Sequence, residues 1–368
     1  MKFNIAKDDL LSALTNVSKG MSSRSTLPIL SGILIETTDE GTLVFQTTDL
    51  EISIRHTIPA DIVEGGRCVV PGKLFSDIVK NLPDAAISVT SQAEQTLISC
   101  LDTSFTLSSL NPADFPYFPE VDADTTIKLP TKQLADAVKK VGRAVSRDES
   151  RAVLMGILFS VEGGNARLAS TDSYRLAVAD MKGIGELSEV EDFQAIIPGK
   201  IFEDVSKLAT VVDELSIGFS DNQIVFEFGD TVFVSRKIEG SYPNYKRLIP
   251  SEHEVAIKVN SAALTTAIKR VSLLAQAHTP IKFSFSALEQ TVTVSAKTQD
   301  VGGATETVEA SVDGPDIDIA FNHQYVLDGL GAVGDEALIE LQTSVKPGIF
   351  KNASDDSFLY LAMPVRLS

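Results

Sequence analysis

Two glycine–lysine steps, Gly72-Lys73 and Gly199-Lys200, are the residues that first suggest chemistry, since such a step can end a loop that wraps phosphate. A phosphate loop also needs a glycine five residues earlier and a Ser or Thr directly after the lysine. Arg67 and Gln194 hold the first of those places and Leu74 and Ile201 the second, so both steps fail on both counts. His56, His253, His278 and His323 lack metal-ligand spacing, and no Gly-x-Ser-x-Gly elbow occurs. Asp49 and Asp172, which follow Thr48 and Thr171, form a recurring carboxylate. A hydrolase assembled from these and the scattered histidines is one reading. A turn in which Asp bonds its own backbone is the other, and the repetition favours it. No active site, metal or cofactor is therefore expected. Cys68 and Cys100 lie in strand-like runs and are expected to be buried free thiols of a reducing cytoplasm, with a disulfide as the alternative.

The charged residues carry a different kind of signal. A net charge of −18 ordinarily argues against a nucleic-acid partner. Six predicted helices, at 7–24, 71–82, 131–147, 199–209, 261–275 and 322–333, nevertheless hold fourteen Lys and Arg against seven Asp and Glu, which leaves −25 to the remainder. With each apolar stripe turned to a sheet, Lys73, Lys80, Lys132, Lys139, Lys140, Lys200, Lys207, Lys269 and Arg270 project together on the far side. The choice lies between good helix formers on solvated faces and a positive surface that contacts phosphates without reading sequence.

The elements that must position these residues are written three times. Val69-Val70-Pro71-Gly72-Lys73-Leu74-Phe75 returns as Ile196-Ile197-Pro198-Gly199-Lys200-Ile201-Phe202, and a worn copy begins at Asn322-His323-Gln324-Tyr325. A period of this length is that of a whole domain, too long for a solenoid unit. Leu10, Leu14 and Val17 align with Leu134, Val138 and Val141, then with Leu264, Ile268 and Val271, which is one buried helical face at i, i+4 and i+7. Strand-like runs follow: 32–36 and 42–46 flank an Asp39-Glu40-Gly41 turn, and Gly163-Gly164-Asn165 marks a second hairpin. Pro71 and Pro198 are expected at the first residue of a helix. Each third thus reads as two βαβββ halves, an α+β arrangement of two helices on antiparallel sheet. The thirds are expected at 1–124, 125–252 and 253–368. The first two end alike, in Phe115-Pro116-Tyr117-Phe118 and Tyr242-Pro243-Asn244-Tyr245, and the third stops before such a turn. No apolar leader opens the chain and no run is long enough to span a bilayer, so a cytoplasmic protein is expected.

Taken with the triplication, Met1-Lys2-Phe3, Arg24-Ser25-Thr26-Leu27-Pro28-Ile29-Leu30, Thr171-Asp172-Ser173-Tyr174-Arg175-Leu176-Ala177 and Tyr360-Leu361-Ala362-Met363-Pro364-Val365-Arg366-Leu367 resemble the bacterial DNA polymerase III beta subunit family, the sliding clamps, over the whole chain. The resemblance implies a DNA-clamp fold closing as a six-domain ring, a head-to-tail homodimer whose helices line a hole for duplex DNA. It implies a non-catalytic processivity factor, nucleoid-associated, that holds DNA without sequence preference and tethers polymerase, clamp loader and repair proteins. Arg24 joins the helix lysines as a DNA-facing residue. A peptide pocket between the second and third domains is implied at Leu154, Thr171, Tyr174, Arg175, Leu176, Pro243, Arg247, Leu248, Asn322, Tyr325, Val345, Met363, Pro364, Val365, Arg366 and Leu367. Phe105 and Leu107 are expected to meet Leu273 and Leu274 of a second copy. The alternative is a three-domain protein-binding adaptor that does not encircle DNA.

Overall fold

All nine aligned apolar positions are buried, from Leu10, Leu14 and Val17 through Leu134, Val138 and Val141 to Leu264, Ile268 and Val271. Covering one such side chain is worth about 2 kcal/mol, so these stripes alone dock three helices on their sheets. The computed structural model describes residues 1–22, 26–275, 280–298 and 301–366.

The first third runs β1 (Lys2–Ile5), α1 (Lys7–Val17), β2 (Gly32–Thr37), β3 (Thr42–Thr48), β4 (Ile52–Pro59), β5 (Asp61–Glu64), β6 (Arg67–Pro71), α2 (Gly72–Asn81), β7 (Ile87–Gln92), β8 (Gln95–Cys100) and β9 (Thr103–Ser108). The second runs β10 (Thr125–Pro130), α3 (Thr131–Val141), β11 (Gly156–Glu162), β12 (Asn165–Thr171), β13 (Arg175–Met181), β14 (Phe193–Pro198), α4 (Gly199–Leu208), β15 (Glu214–Phe219), β16 (Gln223–Phe228) and β17 (Thr231–Arg236). The third runs β18 (Val255–Asn260), α5 (Ser261–Val271), β19 (Ile281–Ser286), β20 (Thr291–Thr298), β21 (Gly302–Asp313), β22 (Ile317–Phe321), α6 (His323–Val333), β23 (Glu336–Leu341), β24 (Gly348–Asn352) and β25 (Phe358–Ala362). Two βαβββ halves recur in each, and the first third adds only the short β5.

Two expectations need correction. Pro71 and Pro198 close β6 and β14 and stand one residue before their helices. The Pro71 ψ of 105° is extended, and its place in the ladder opposite Gly32 holds it there. The helices are also shorter than expected. α1, α3 and α5 stop at Val17, Val141 and Val271 and pass into short 3-10 turns. The Thr47 hydroxyl bonds the Val17 carbonyl at 2.6 Å and the Ser170 hydroxyl bonds that of Val141, so end carbonyls are taken up by the sheet beneath. Within the observed helices the basic excess falls to ten against seven, because Lys19, Arg143 and Arg147 lie beyond their ends and Arg24 lies outside the described residues.

Contacts divide the chain into two compact units, Met1–Lys132 with Asp204–Lys237, and Gln133–Glu203 with Ile238–Ser368. The first holds a five-stranded sheet, β5-β1-β7-β8-β9, and an eight-stranded sheet, β10-β15-β16-β17-β4-β3-β2-β6. The second is built on twelve strands, β14-β11-β12-β13-β25-β24-β23-β18-β21-β20-β19-β22. Sheets and sequence repeat are therefore out of phase. β4 pairs with β17 and β13 with β25, so each junction between thirds lies inside a continuous antiparallel ladder.

Alternation sorts the faces. On β11, Phe159 points to the helix side, 6.3 Å from the Phe202 ring of α4. Leu158 points the other way, into a cluster with Ala169, Leu176, Val178, Ile196, Tyr245 and Leu361 that the 238–249 segment covers. Phe115 likewise covers Leu34 and Val69 in the first unit. At the matching ladder position of the third, Lys282 stands opposite Ala320 and pairs with Asp318 at 2.7 Å. That outer face is polar, and no aromatic–proline turn covers it among the described residues. Gly163 and Gly164, with φ of 55° and 75°, make the two-residue hairpin turn between β11 and β12 that glycine permits. Cys68 and Cys100 are buried and free, and burial pushes the Cys68 thiol up.

Candidate functional site

The recurring Thr-Asp pairs are turns, and they are built alike. Thr48 Oγ1 accepts from the Leu50 N–H at 3.1 Å, and Asp49 Oδ1 from Glu51 and Ile52 at 3.0 and 2.7 Å. In the second third, Thr171 Oγ1 accepts from Ser173 at 3.1 Å, and Asp172 Oδ1 from Tyr174 and Arg175 at 2.9 and 3.0 Å. Leu50 and Ser173 both sit at φ 78°, a left-handed conformation the side-chain bonds hold in place. These carboxylates are thus occupied by backbone N–H groups, which removes the hydrolase reading of Asp49 and Asp172.

Further bonds repeat around each turn. The Met363 N–H donates to the Tyr174 carbonyl at 2.8 Å, as Arg236 donates to Glu51 at 3.4 Å. Arg143 lies 3.9 Å from Asp328, as Lys19 lies 3.2 Å from Asp204. What differs is the side chains. At the second junction Arg175 donates to Asp172 at 3.0 Å and to Asp328, with its guanidinium 4.6 Å from the centre of the Tyr325 ring. Burial opposes its charge, but Tyr360, Asp328 and Asp172 more than offset that and raise its pKa. Tyr242, whose phenol burial pushes up, accepts from the Thr171 N–H at 3.1 Å and ties the turn to the segment that carries Pro243.

The residues expected to form the pocket fall into layers. Leu154, Thr171 and Leu176 are buried, and Leu176 packs in the cluster with Leu361 and Tyr245. Tyr174 and Leu248 are 59% and 50% exposed, and Met363 and Val365 are each 39% exposed, so apolar surface is left open above that floor. Pro243, Arg247 and Arg366 are exposed, and Pro364 is half-buried. Asn322 caps α6 through Gln324 at 2.9 Å, and Tyr325 follows on the first turn. Val345 is exposed on the connection between β23 and β24. Leu367 lies outside the described residues, as do Arg24, His278 and Ser368.

Beside this surface opens a cleft of about 720 Å³. Tyr174, Arg175 and Tyr325 line it together with Arg143, Arg147, Asp148, Arg151, Asp172, Gln324 and Asp328. The sequence reading missed most of these. Asp328 lies in the worn third copy of the repeat, and both of its arginine partners come from a different third of the chain.

Of the basic helix residues, Lys73, Lys80, Lys132, Lys139, Lys200, Lys207 and Lys269 are exposed. Lys140 is half-buried, 2.9 Å from Asp136 and 5.7 Å from the Phe358 ring centre, and Arg270 pairs with Glu306 at 2.8 Å. Phe105 is 41% exposed on edge strand β9 and Leu273 is 83% exposed after α5. Leu107 is already buried in its own unit, and Leu274 is half-buried with its carbonyl bonded by Thr298. No group of His, Cys, Asp and Glu suited to a metal, and no helix long and apolar enough to cross a membrane, occurs among the described residues.

A triplicated α+β chain with basic helices, bonded turns and an open apolar surface defines a binding protein of the clamp class. Profiles of the DNA polymerase III beta subunit match in series, the N-terminal domain at residues 1–119, the central domain at 128–244 and the C-terminal domain at 246–366. The chain is 36% identical to the beta sliding clamp of Staphylococcus epidermidis, covering 100% of this chain and 99% of that protein, and 35% identical to that of Staphylococcus aureus over the same shares. It superposes on the Bacillus subtilis DNA polymerase sliding clamp with a TM-score of 0.92 at 31% identity. On a Pseudomonas aeruginosa sliding clamp bound to griselimycin the TM-score is 0.94 at 28% identity, and both comparisons cover 100% of each chain. This chain belongs to the DNA polymerase III beta subunit family, the sliding clamps. It is a DNA sliding clamp, a processivity factor of replication and not an enzyme.

Proposed function

We propose that two copies join head to tail into a six-domain ring, with domains at 1–124, 125–252 and 253–368 in each, and that the ring encircles duplex DNA in the bacterial cytoplasm at the nucleoid. Arg24, Lys73, Lys80, Lys132, Lys139, Lys200, Lys207 and Lys269 face the duplex, with Lys140 and Arg270 attenuated by their carboxylate partners. Such contacts attract phosphate without reading sequence, and their modest number keeps the ring free to slide. Phe105 and Leu273, the exposed members of the expected joint, meet between copies. Polymerase, clamp loader and repair proteins dock through a short apolar motif on the open surface around Tyr174, Pro243, Leu248 and Met363, where buried Leu154 and Leu176 form the floor.

The observation that supports this reading most is repetition. One two-helix unit occurs three times with most of its helix lysines at exposed positions, while the rest of the chain is strongly acidic. The test is retention on nicked circular DNA after loading, followed by linearisation. Retention lost only on cutting is expected. Equal retention on circle and line would replace enclosure with ordinary affinity, and no retention beside a competent loader would favour the adaptor.

A further inference from the structure

We infer that the arginine-lined cleft beside the apolar surface is an anion subsite, and that it takes the acidic flank of the same peptide whose apolar motif docks next to it. The inference rests on the peptide-pocket reading. Four guanidinium groups, Arg143, Arg147, Arg151 and Arg175, line one cavity of about 720 Å³ with three carboxylates, Asp148, Asp172 and Asp328. The carboxylates are taken up. Asp172 serves backbone N–H groups and Arg175, Asp148 pairs with Arg151 at 2.9 Å, and Asp328 holds Arg175 and Gln324. Arg143 reaches Asp328 only at 3.9 Å, and exposed Arg147 has no carboxylate partner among the described residues. The cavity thus keeps positive charge that its own walls do not neutralise.

The internal repeat is the control. The first junction has the same Thr-Asp turn, the same returning backbone bond and, in Lys19–Asp204, a counterpart of the Arg143–Asp328 pair, so the frame holds without the other three arginines of the cleft. In the aligned sequence of the repeats, Lys19, Ser23, Leu27 and Ile52 stand against Arg143, Arg147, Arg151 and Arg175. Three of the four cations are therefore additions at the junction that carries the open apolar surface around Tyr174 and Leu248. An extended peptide leaving that surface past Tyr174, Arg175 and Tyr325 enters the cleft directly. Carboxylate side chains match guanidinium forks in geometry and charge.

The test uses the full chain and three fluorescent peptides sharing one apolar motif, flanked by four glutamates, four glutamines or four lysines. At about 50 mM salt the glutamate peptide is expected to bind about three- to tenfold more tightly than the glutamine peptide and the lysine peptide more weakly, with the spread collapsing at roughly 0.5 M salt. Arg147→Gln with Arg151→Gln should erase the glutamate advantage and leave the glutamine peptide unchanged, while Arg147→Lys with Arg151→Lys retains most of it. Thermal melts confirm that each variant folds. Equal binding of the three peptides by the unaltered chain would overturn the subsite and leave the apolar pocket standing. Failure of every peptide to bind would remove the pocket reading and the subsite with it. A short single-stranded oligonucleotide that abolishes only the glutamate advantage, while itself binding through Arg147, would reassign the cleft to nucleic acid and overturn the inference.

Discussion

Tyr242 shows how much one polar atom can organise. Its hydroxyl receives the Thr171 N–H at the start of a turn whose other N–H groups are already held by Thr171 and Asp172. Thr171 is buried, so loss of that acceptor leaves a backbone donor unsatisfied, at a cost of about 1–2 kcal/mol. Tyr242→Phe should lower the urea midpoint accordingly and weaken binding of an apolar-motif peptide, because the Tyr174 wall is no longer pinned. Unchanged midpoint and affinity would show that water replaces the phenol. The Thr-Asp turn was legible in sequence because its bonds are local. Tyr242 was visible only as part of an aromatic–proline motif, and its bond to a residue 71 positions away was not.

Among the elements, the ladders between thirds carry a pH dependence. His56 on β4 stands opposite Thr231 on β17, with Nδ1 2.8 Å from the Thr231 hydroxyl and Nε2 3.3 Å from Asn16 Nδ2. Burial lowers its pKa and outweighs Asp230, which raises it through its charge and its backbone. The folded chain therefore resists a proton that the unfolded chain accepts near the ordinary histidine value of about 6.5. Stability from this group is fully present above that value and is lost as pH falls through the lower folded value. Urea midpoints measured between pH 7.5 and 5 should fall, and His56→Gln should flatten that part of the curve. A parallel fall in the variant would place the dependence elsewhere. The helices were legible element by element because a 3.6-residue stripe is a local pattern. Their C-terminal ends were overextended, since the hydroxyls of Thr47 and Ser170 that take up the last carbonyls belong to other strands.

At the scale of the molecule, the proposed joint between copies makes a separate prediction. Leu273→Ala with Leu274→Ala removes apolar surface that is mostly exposed in the single chain, so folding should persist while association fails. Sedimentation should show a soluble species of one chain, with a melting temperature close to the parent's. A variant that remains a dimer would move the joint away from these residues. Leu107, buried within its own unit, is a poorer choice for such a test because its loss also opens a cavity.

The amino-acid sequence by itself determined the triplication, the helix stripes and the Thr-Asp turns. Each of these depends on residues close together along the chain or on a register that can be counted. Only the tertiary structure decided that the thirds are fused through β4–β17 and β13–β25, so that sheets and repeats run out of phase. It also gathered Arg143, Arg147, Arg151 and Arg175 with Asp328 around one cleft. The reason is physical: strand partners and ion pairs from distant segments are chosen by which edges and charges the folded chain brings together, and no local period records that choice.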